Sequence, residues 1–403
     1  MFIIGEFVVF YLLSTENWEY RLKDIIYIFK ENLISKDIKE SIYIEGIGDC
    51  IPIRSARVGI ILALKSLNLP KGAHIGVPLY CCPVVFKSIK SAGYQPYFID
   101  IDYLTYCISP EDLYKKRKEI DAVIVVHMFG NICDMNSILQ FSNNIPIIED
   151  CAQSLGSKLN GNLAGLFGII SIFSFRSGKT ISVGEGGALY TSDLNLKVNL
   201  YNLLENLSIP QSIEEYLHII KTYIRSKLRG KLLWGIVGHP IWKVYNKTFE
   251  YPLKSPINMS QIFKTDLSLI KERLKLLDFI IQKNRYNANY LIENLEVDPK
   301  MLCLEKKNTF YNRYFFPILF NSSNQRDIMA SFLFKKGIDT SMPYKDVVEI
   351  ARNYYGYKGD CPVAEEIAKR ILVIPSNYKI KMEELKYIVK CINLGWMRIV
   401  GQN

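Results

Sequence analysis

Three short stretches carry side chains suited to amine chemistry: Glu149-Asp150-Cys151-Ala152-Gln153, Ser174-Phe175-Arg176-Ser177-Gly178-Lys179, and Gly184-Glu185-Gly186-Gly187. A lysine amine can form a Schiff base with an aldehyde, and a carboxylate such as Asp150 can keep a pyridine nitrogen protonated. Hydroxyl and backbone N–H groups can then take a phosphate. Together these are the needs of pyridoxal 5'-phosphate (PLP), with Lys179 as the attacking amine and afterwards as general base and acid for a donor's α-proton. Side chains alternate along a strand, so Ser174 and Arg176 should share one face, opposite Phe173 and Phe175. Ser174 is then a candidate phosphate ligand and Arg176 a candidate substrate contact. Ser55-Ala56-Arg57, read as a turn before a buried helix at Val58, offers N–H groups and a guanidinium for the same phosphate. Each residue also has a structural reading when taken singly: a solvated lysine, a capping aspartate, a loop glutamine, a core hydroxyl. The spacing makes the functional readings stand or fall together.

These residues need strand ends to hold them, because ligands of open α/β sheets sit beyond the strands' carboxyl termini. Between about 55 and 192, short β-branched runs alternate with helical patterns, the rhythm of a parallel sheet covered by helices. The pattern predicts strands at His74–Pro78, Tyr97–Asp100, Ala122–His127, Ile145–Glu149, Ile169–Phe175 and Ala188–Thr191. It predicts helices at Val58–Leu67, near Pro83–Ala92, after the capping run Ser109-Pro110-Glu111-Asp112, and at Asn136–Phe141. One long helical pattern runs from about Ser260 to Leu295. A strand-like Tyr314–Phe320 and helices Gln325–Lys336 and Met382–Leu394 follow. The predicted organisation is an N-terminal extension at 1–50, a large α/β domain at 51–295 with a basic, apolar insertion at about 200–255, and a smaller α+β domain at 296–403.

The run Glu149 to Gly156, with Phe173-Ser174-Phe175, Lys179 and Gly184-Glu185-Gly186-Gly187, resembles the DegT/StrS family of sugar aminotransferases. A weaker likeness extends from about Ile53 to Trp396, through Val126-His127-Met128-Phe129-Gly130, Cys361-Pro362-Val363-Ala364-Glu365 and Ile374-Pro375. The resemblance implies PLP fold type I, a large mixed-sheet α/β domain with a small C-terminal domain. It implies Lys179 as the Schiff-base lysine, Asp150 as the pyridine partner, Gln153 as a contact to the cofactor face and Ser174 as a phosphate ligand. It further implies a homodimer with sites at the subunit interface, moving an amino group from glutamate to a keto sugar-nucleotide. Departures from the family are Ala56-Arg57, where Gly-Thr or Gly-Ser is usual, and Cys82, where an aromatic commonly stacks on the ring. Tyr80 is the nearest aromatic to take that place. Pro256 and Asn258 stand where the family has the Asn and Arg that reach the partner subunit. A second enzymatic reading is a PLP dehydratase or an aminotransferase for a non-nucleotide keto substrate, and the departures at Cys82, Pro256 and Asn258 motivate a reading of another class, a catalytically silent binding or regulatory relative.

The 49% hydrophobic and 22% charged residues are those of an ordinary globular chain. The nine cysteines form no CxxC pair and the four histidines stand apart, so no metal site is expected and a reducing cytoplasm fits. Gly178-Lys179-Thr180 lacks the earlier glycine of a P-loop, since Phe173 stands there. The apolar opening Met1–Leu13 contains Glu6 and is shorter than the roughly 20 residues of a membrane span, so it is read as packing. A net charge of +10 without a reader motif argues against nucleic acid. The positive excess gathers at 221–247, where Leu232, Trp234, Ile236 and Trp242 interleave with lysines and arginines, a pattern suited to peripheral membrane contact. His127 is a catalytic base or a buried, hydrogen-bonded histidine, and Arg313 a fork for a substrate carboxylate or phosphate or a surface residue.

Overall fold

The computed structural model describes residues 11–16, 18–34, 41–241 and 255–401. Met1–Phe10 and the Trp242–Lys247 end of the basic stretch lie outside the described residues. Along the chain run β1 (Ile42–Ile44), β2 (Gly48–Ile53), β3 (His74–Pro78), β4 (Gln95–Ile99), β5 (Ala122–Val126), β6 (Ile147–Asp150), β7 (Lys158–Leu159), β8 (Asn162–Leu163), β9 (Ile170–Ser174) and β10 (Gly187–Tyr190). Eight of them form one sheet in the order β1-β2-β10-β9-β6-β5-β3-β4. The strands from β9 to β4 pair in parallel, while β10, β2 and β1 continue the sheet antiparallel. β5 and β6 are buried at every position, which explains their unbroken apolar runs. The sheet begins at Ile42, so residues 42–50 belong to it and not to an extension.

Helices α1 (Leu22–Ile34), α2 (Ala56–Ser66), α3 (Val84–Ser91), α4 (Pro110–Lys116), α5 (Met135–Ser142), α6 (Leu194–Glu205) and α7 (Ser212–Leu228) accompany this sheet. α2 is capped by Ser55, whose Oγ accepts from Val58 N at 3.4 Å. It can lie on the sheet because Gly59 has no β-carbon, which would stand 2.5 Å from Ile53 Cδ1. The helix starts two residues before the expected Val58, which places Ala56 and Arg57 in its first turn, where N–H groups lack intrahelical partners. α4 opens as its sequence predicts, Ser109 Oγ accepting from Asp112 N, with Pro110 at the first helical position.

The expected long helix at 260–295 is two helices, Lys264–Leu274 and Leu277–Asn294. No proline or glycine marks the break. Arg273 anchors the end of the first helix, donating to Glu19 O at 2.7 Å and pairing with Asp24 at 2.8 Å, while Ile281 of the second packs against Gly156. Beyond it, β11 (Thr309–Phe310) joins β7 and β8, and β12 (Phe316–Leu319) pairs antiparallel with β13 (Ile371–Ile374). A second apolar core, containing Leu291, Phe316, Phe320, Leu333, Leu372 and Ile392, lies apart from the main one. Asp100, just past β4, ties the large sheet to helix Pro362–Arg370, whose buried Ala364, Ile367 and Ala368 belong to the main core. Its carboxylate accepts from Val363 N at 3.0 Å and Ala364 N at 2.8 Å, capping helix Pro362–Arg370.

Candidate active site

The parallel strands all end on one edge of the sheet, and the candidate residues follow those ends. After β9 the chain doubles back: Ser177 N donates to Gly184 O and Phe175 N to Gly186 O, and Lys179 N closes a turn on Arg176 O. Gly178 turns at φ +90°, a conformation other residues rarely adopt. Gly187 is required at the loop's exit, since a β-carbon would stand 2.6 Å from Phe173 O and 3.1 Å from Ala56 N. The lysine loop is therefore wedged against the start of α2.

Lys179 is half-buried, its Nζ 5.2 Å from the centre of the Tyr314 ring. Burial first, and the positive charge of Arg176 second, bring its amine down to about 8, while Asp150, Cys82 and Glu16 pull the other way. Asp150 ends β6 and is buried, its Oδ1 accepting from Ala152 N at 3.0 Å. Burial pushes its carboxyl up, opposed by that N–H and by the charges of Lys179 and His127. The structure thus brings Lys179 and Asp150 within electrostatic reach of each other at the ends of adjacent strands.

Cys82, past β3, is half-buried beside them. Tyr80 does not open onto this space: it is fully buried, meets Tyr344 edge-on at 5.7 Å, and donates to Pro343 O at 2.9 Å. Gln153 is likewise buried. Its Oε1 accepts from Phe129 N at 3.0 Å and its Nε2 donates to the Tyr344 hydroxyl at 3.2 Å. Ser174 is half-buried and pairs with Gly187, and Arg176 is exposed. Arg57 is half-buried, lowered from the usual guanidinium value by burial and then by Arg176. Pro256 and Asn258 are exposed.

Arg313 is not brought to this opening. It is buried, and its Nη1 donates to Cys303 O at 2.8 Å. Arg313 has φ +55°, and its side chain runs to Cys303 while those of Asn312 and Tyr314 run to Gln153 and Gly178. Asn312 Nδ2 donates to Gln153 O and Leu155 O, and Tyr314 donates its hydroxyl to Gly178 O at 2.8 Å. Tyr314 and Tyr344 escaped the sequence reading because they lie far along the chain in no recognisable motif. The only signal was their position beside Asn312-Arg313 and Pro343.

His127, Glu149 and Cys151 are the one group of metal-capable side chains that comes together among the described residues. The polar atoms of His127 and Glu149 are engaged. His127 Nε2 meets Glu149 Oε2 at 2.9 Å and Nδ1 accepts from Cys133 N. The Glu149 oxygens also accept from Gly165, Phe167 and Gly168 N. Of the two readings of His127, the buried hydrogen-bonded one describes this arrangement. All nine cysteines are unbridged.

Residues 42–393 match the model of the DegT/DnrJ/EryC1/StrS aminotransferase family. The chain is 27% identical to a GDP-perosamine synthase of Escherichia coli O157:H7 over 345 residues, 85% of this chain and 84% of that one. It is 24% identical to a UDP-N-acetyl-3-dehydro-alpha-D-glucosamine 3-aminotransferase of Acidithiobacillus ferrooxidans over 357 residues, 87% and 85% of the two chains. Among solved structures, a putative sugar aminotransferase of Streptococcus pneumoniae in its PMP form superposes with a TM-score of 0.74, covering 97% of this chain and 99% of that one at 17% identity. The last likeness establishes the fold.

Proposed function

Because the chain belongs to the DegT/DnrJ/EryC1/StrS aminotransferase family, we propose that it is a PLP-dependent aminotransferase moving an amino group from glutamate to a keto sugar-nucleotide in polysaccharide or related glycan biosynthesis. The supporting observation for the cofactor is the joint placement of Lys179 and Asp150 past the ends of two adjacent parallel strands. The donor set fits: a buried carboxylate for the ring nitrogen, an amine of lowered pKa for the aldehyde, and the first turn of α2 with Arg57 and Ser174 for the phosphate. Bound there, PLP would supply the electron sink that acidifies a donor's α-proton.

In this reading Lys179 holds the cofactor through Nζ, and once freed moves the proton at the donor's α-carbon. Asp150 keeps the ring nitrogen protonated. Gln153 positions Phe129 and Tyr344 in the floor, Cys82 borders the opening, and Tyr314 steadies the lysine loop through Gly178. Arg176, exposed at the rim, receives the anionic part of the substrate. The activities named for the two relatives support a sugar-nucleotide substrate. A homodimer, the domain boundary near 296 and contact of the basic stretch with anionic lipid belong to the same proposal.

Purified protein supplied with PLP should show a near-visible absorbance band, and with glutamate and a panel of keto sugar-nucleotides should release 2-oxoglutarate. An unchanged band in Lys179→Ala would contradict the lysine's role. A band without oxoglutarate release from any substrate would contradict the reaction.

A further inference from the structure

The family match begins at residue 42, so the described segments 12–16 and 18–21 lie outside it. They form a strap across the lysine loop. Leu12 N donates to Lys231 O, Leu13 N to Gly337 O, and Asp339 N returns to Leu13 O at 2.8 Å. Farther on, Ser226 Oγ donates to Tyr20 O at 3.1 Å and Arg273 to Glu19 O at 2.7 Å. Leu12, Leu13, Trp18 and Tyr20 are buried. Trp18 and Glu19 also wall a cavity of about 370 Å³ that reaches Lys179 and Thr180.

Between these anchors Glu16 points at the site. Its Oε2 lies 3.0 Å from where a β-carbon on Gly178 would stand, next to Lys179, and 3.5 Å from Arg229 Nη2. Arg229 caps α7 and stacks on the Trp234 ring at 4.0 Å. Arg225 lies one turn earlier, exposed, with its guanidinium value lowered by partial burial and by the charges of Arg176 and Arg229. α7 itself closes on the lysine loop, with Thr222 and His218 both 3.0 Å from where a β-carbon on Gly184 would stand. Glu185, the other acid acting on Arg225, is already paired with Arg54 at 2.6 Å. Arg176 pairs with Gly184, the residue against which α7 packs, and Glu16 pairs with Arg229 while its charge reaches Arg225, so a carboxylate of the same chain offsets the repulsion between these guanidinium groups.

We propose that Arg176, Arg225 and Arg229 form an oxyanion subsite of the substrate pocket, and that Glu16 fills it until an anionic substrate displaces its carboxylate. The proposal rests on the aminotransferase reading above. The strap's backbone stays anchored while one side chain rotates away, so the exchange requires no unfolding. The ligand chemistry is an oxyanion, supplied by the second carboxylate of a dicarboxylic amino donor or by the diphosphate of a sugar nucleotide.

Calorimetric titration of the PLP-loaded protein with glutarate and with inorganic pyrophosphate tests this. Glu16→Gln and Glu16→Ala should each bind one or both probes about three- to ten-fold more tightly, and Arg225→Ala/Arg229→Ala more weakly by a similar factor. The probe that responds identifies the source of the oxyanion. Unchanged binding of both probes in all three variants overturns the subsite. The near-visible band of the same samples separates the two ideas. A normal band with unchanged titrations removes the subsite alone, whereas a missing band in the unmodified protein removes the aminotransferase reading.

Discussion

At the scale of single residues, the lowered Lys179 amine makes a prediction that needs no turnover. The neutral amine attacks an aldehyde, and burial with Arg176 brings its value to about 8. The rate at which cofactor-free protein captures PLP should rise with pH and level off above about 8, measured by stopped-flow absorbance. A rise continuing to the ordinary lysine range would show the amine to be solvated. Asp150→Asn should leave Lys179 competent to capture the cofactor but lower turnover about a hundred-fold or more, the scale of losing one preorganised charge contact. Glu149 is held below its ordinary carboxyl value, despite burial, by His127 and by the N–H groups of Gly168 and Gly165. Its stabilisation is present above the unfolded carboxyl value and is lost as pH falls through the lowered folded value. Glu149→Ala, which leaves His127 Nε2 and the N–H groups of Gly165, Phe167 and Gly168 without their carboxylate partner, should cost about 3–5 kcal/mol in urea unfolding.

At the scale of elements, contacts between distant parts of the chain decide the site. Gly130, at φ +92°, lies so close to Asn312 that a β-carbon would stand 2.0 Å from its Oδ1. Asn312 in turn ties Gln153 and Leu155 to the strand entering the small sheet. Gly130→Ala should therefore cost about 2–4 kcal/mol through backbone strain and displaced packing, read as a lowered melting temperature together with weaker PLP binding. Asp100→Ala removes two N-cap hydrogen bonds from helix Pro362–Arg370 and should cost about 1–2 kcal/mol, with the cofactor band intact. That outcome would assign the Cys361-Pro362-Val363-Ala364-Glu365 signature to architecture and not to catalysis.

At the scale of the whole molecule, α7 presents Ile213, Tyr216, Leu217, Ile220 and Ile224 to solvent, and Leu232, Leu233, Ile236, Val237 and Ile241 continue the exposed stripe. Leu22, Ile26 and Phe29 of α1 add to it, Phe29 stacking on Tyr216 at 6.3 Å. No helix among the described residues is long and apolar enough to cross a membrane. With Lys221 and Lys227 on the same helix, the stripe suits an anionic lipid surface. The protein should float with phosphatidylserine vesicles at low salt and be released as salt rises. Light scattering without lipid should give twice the 46.5 kDa chain mass. Doubled mass with no flotation would assign the stripe to the dimer contact instead.

Local chemistry was legible in the sequence wherever neighbours in the chain decide structure. Unbroken apolar runs became the buried parallel strands, Ser109-Pro110 opened a helix, and strand ends marked where Asp150 and Lys179 had to lie. Composition and motifs could not show what distant segments do to one another. The left-handed turn at Arg313, which points that arginine inward and leaves Tyr314 against Lys179, depends on Asn312 bonding to Gln153 and Leu155. The break near Lys275 depends on Arg273 reaching Glu19 and Asp24, and the strap over Gly178 on contacts with residues more than two hundred positions away. Short-range propensity fixes an element's type, whereas hydrogen bonds and packing between remote segments fix which side chains meet, and those exist only once the chain has folded.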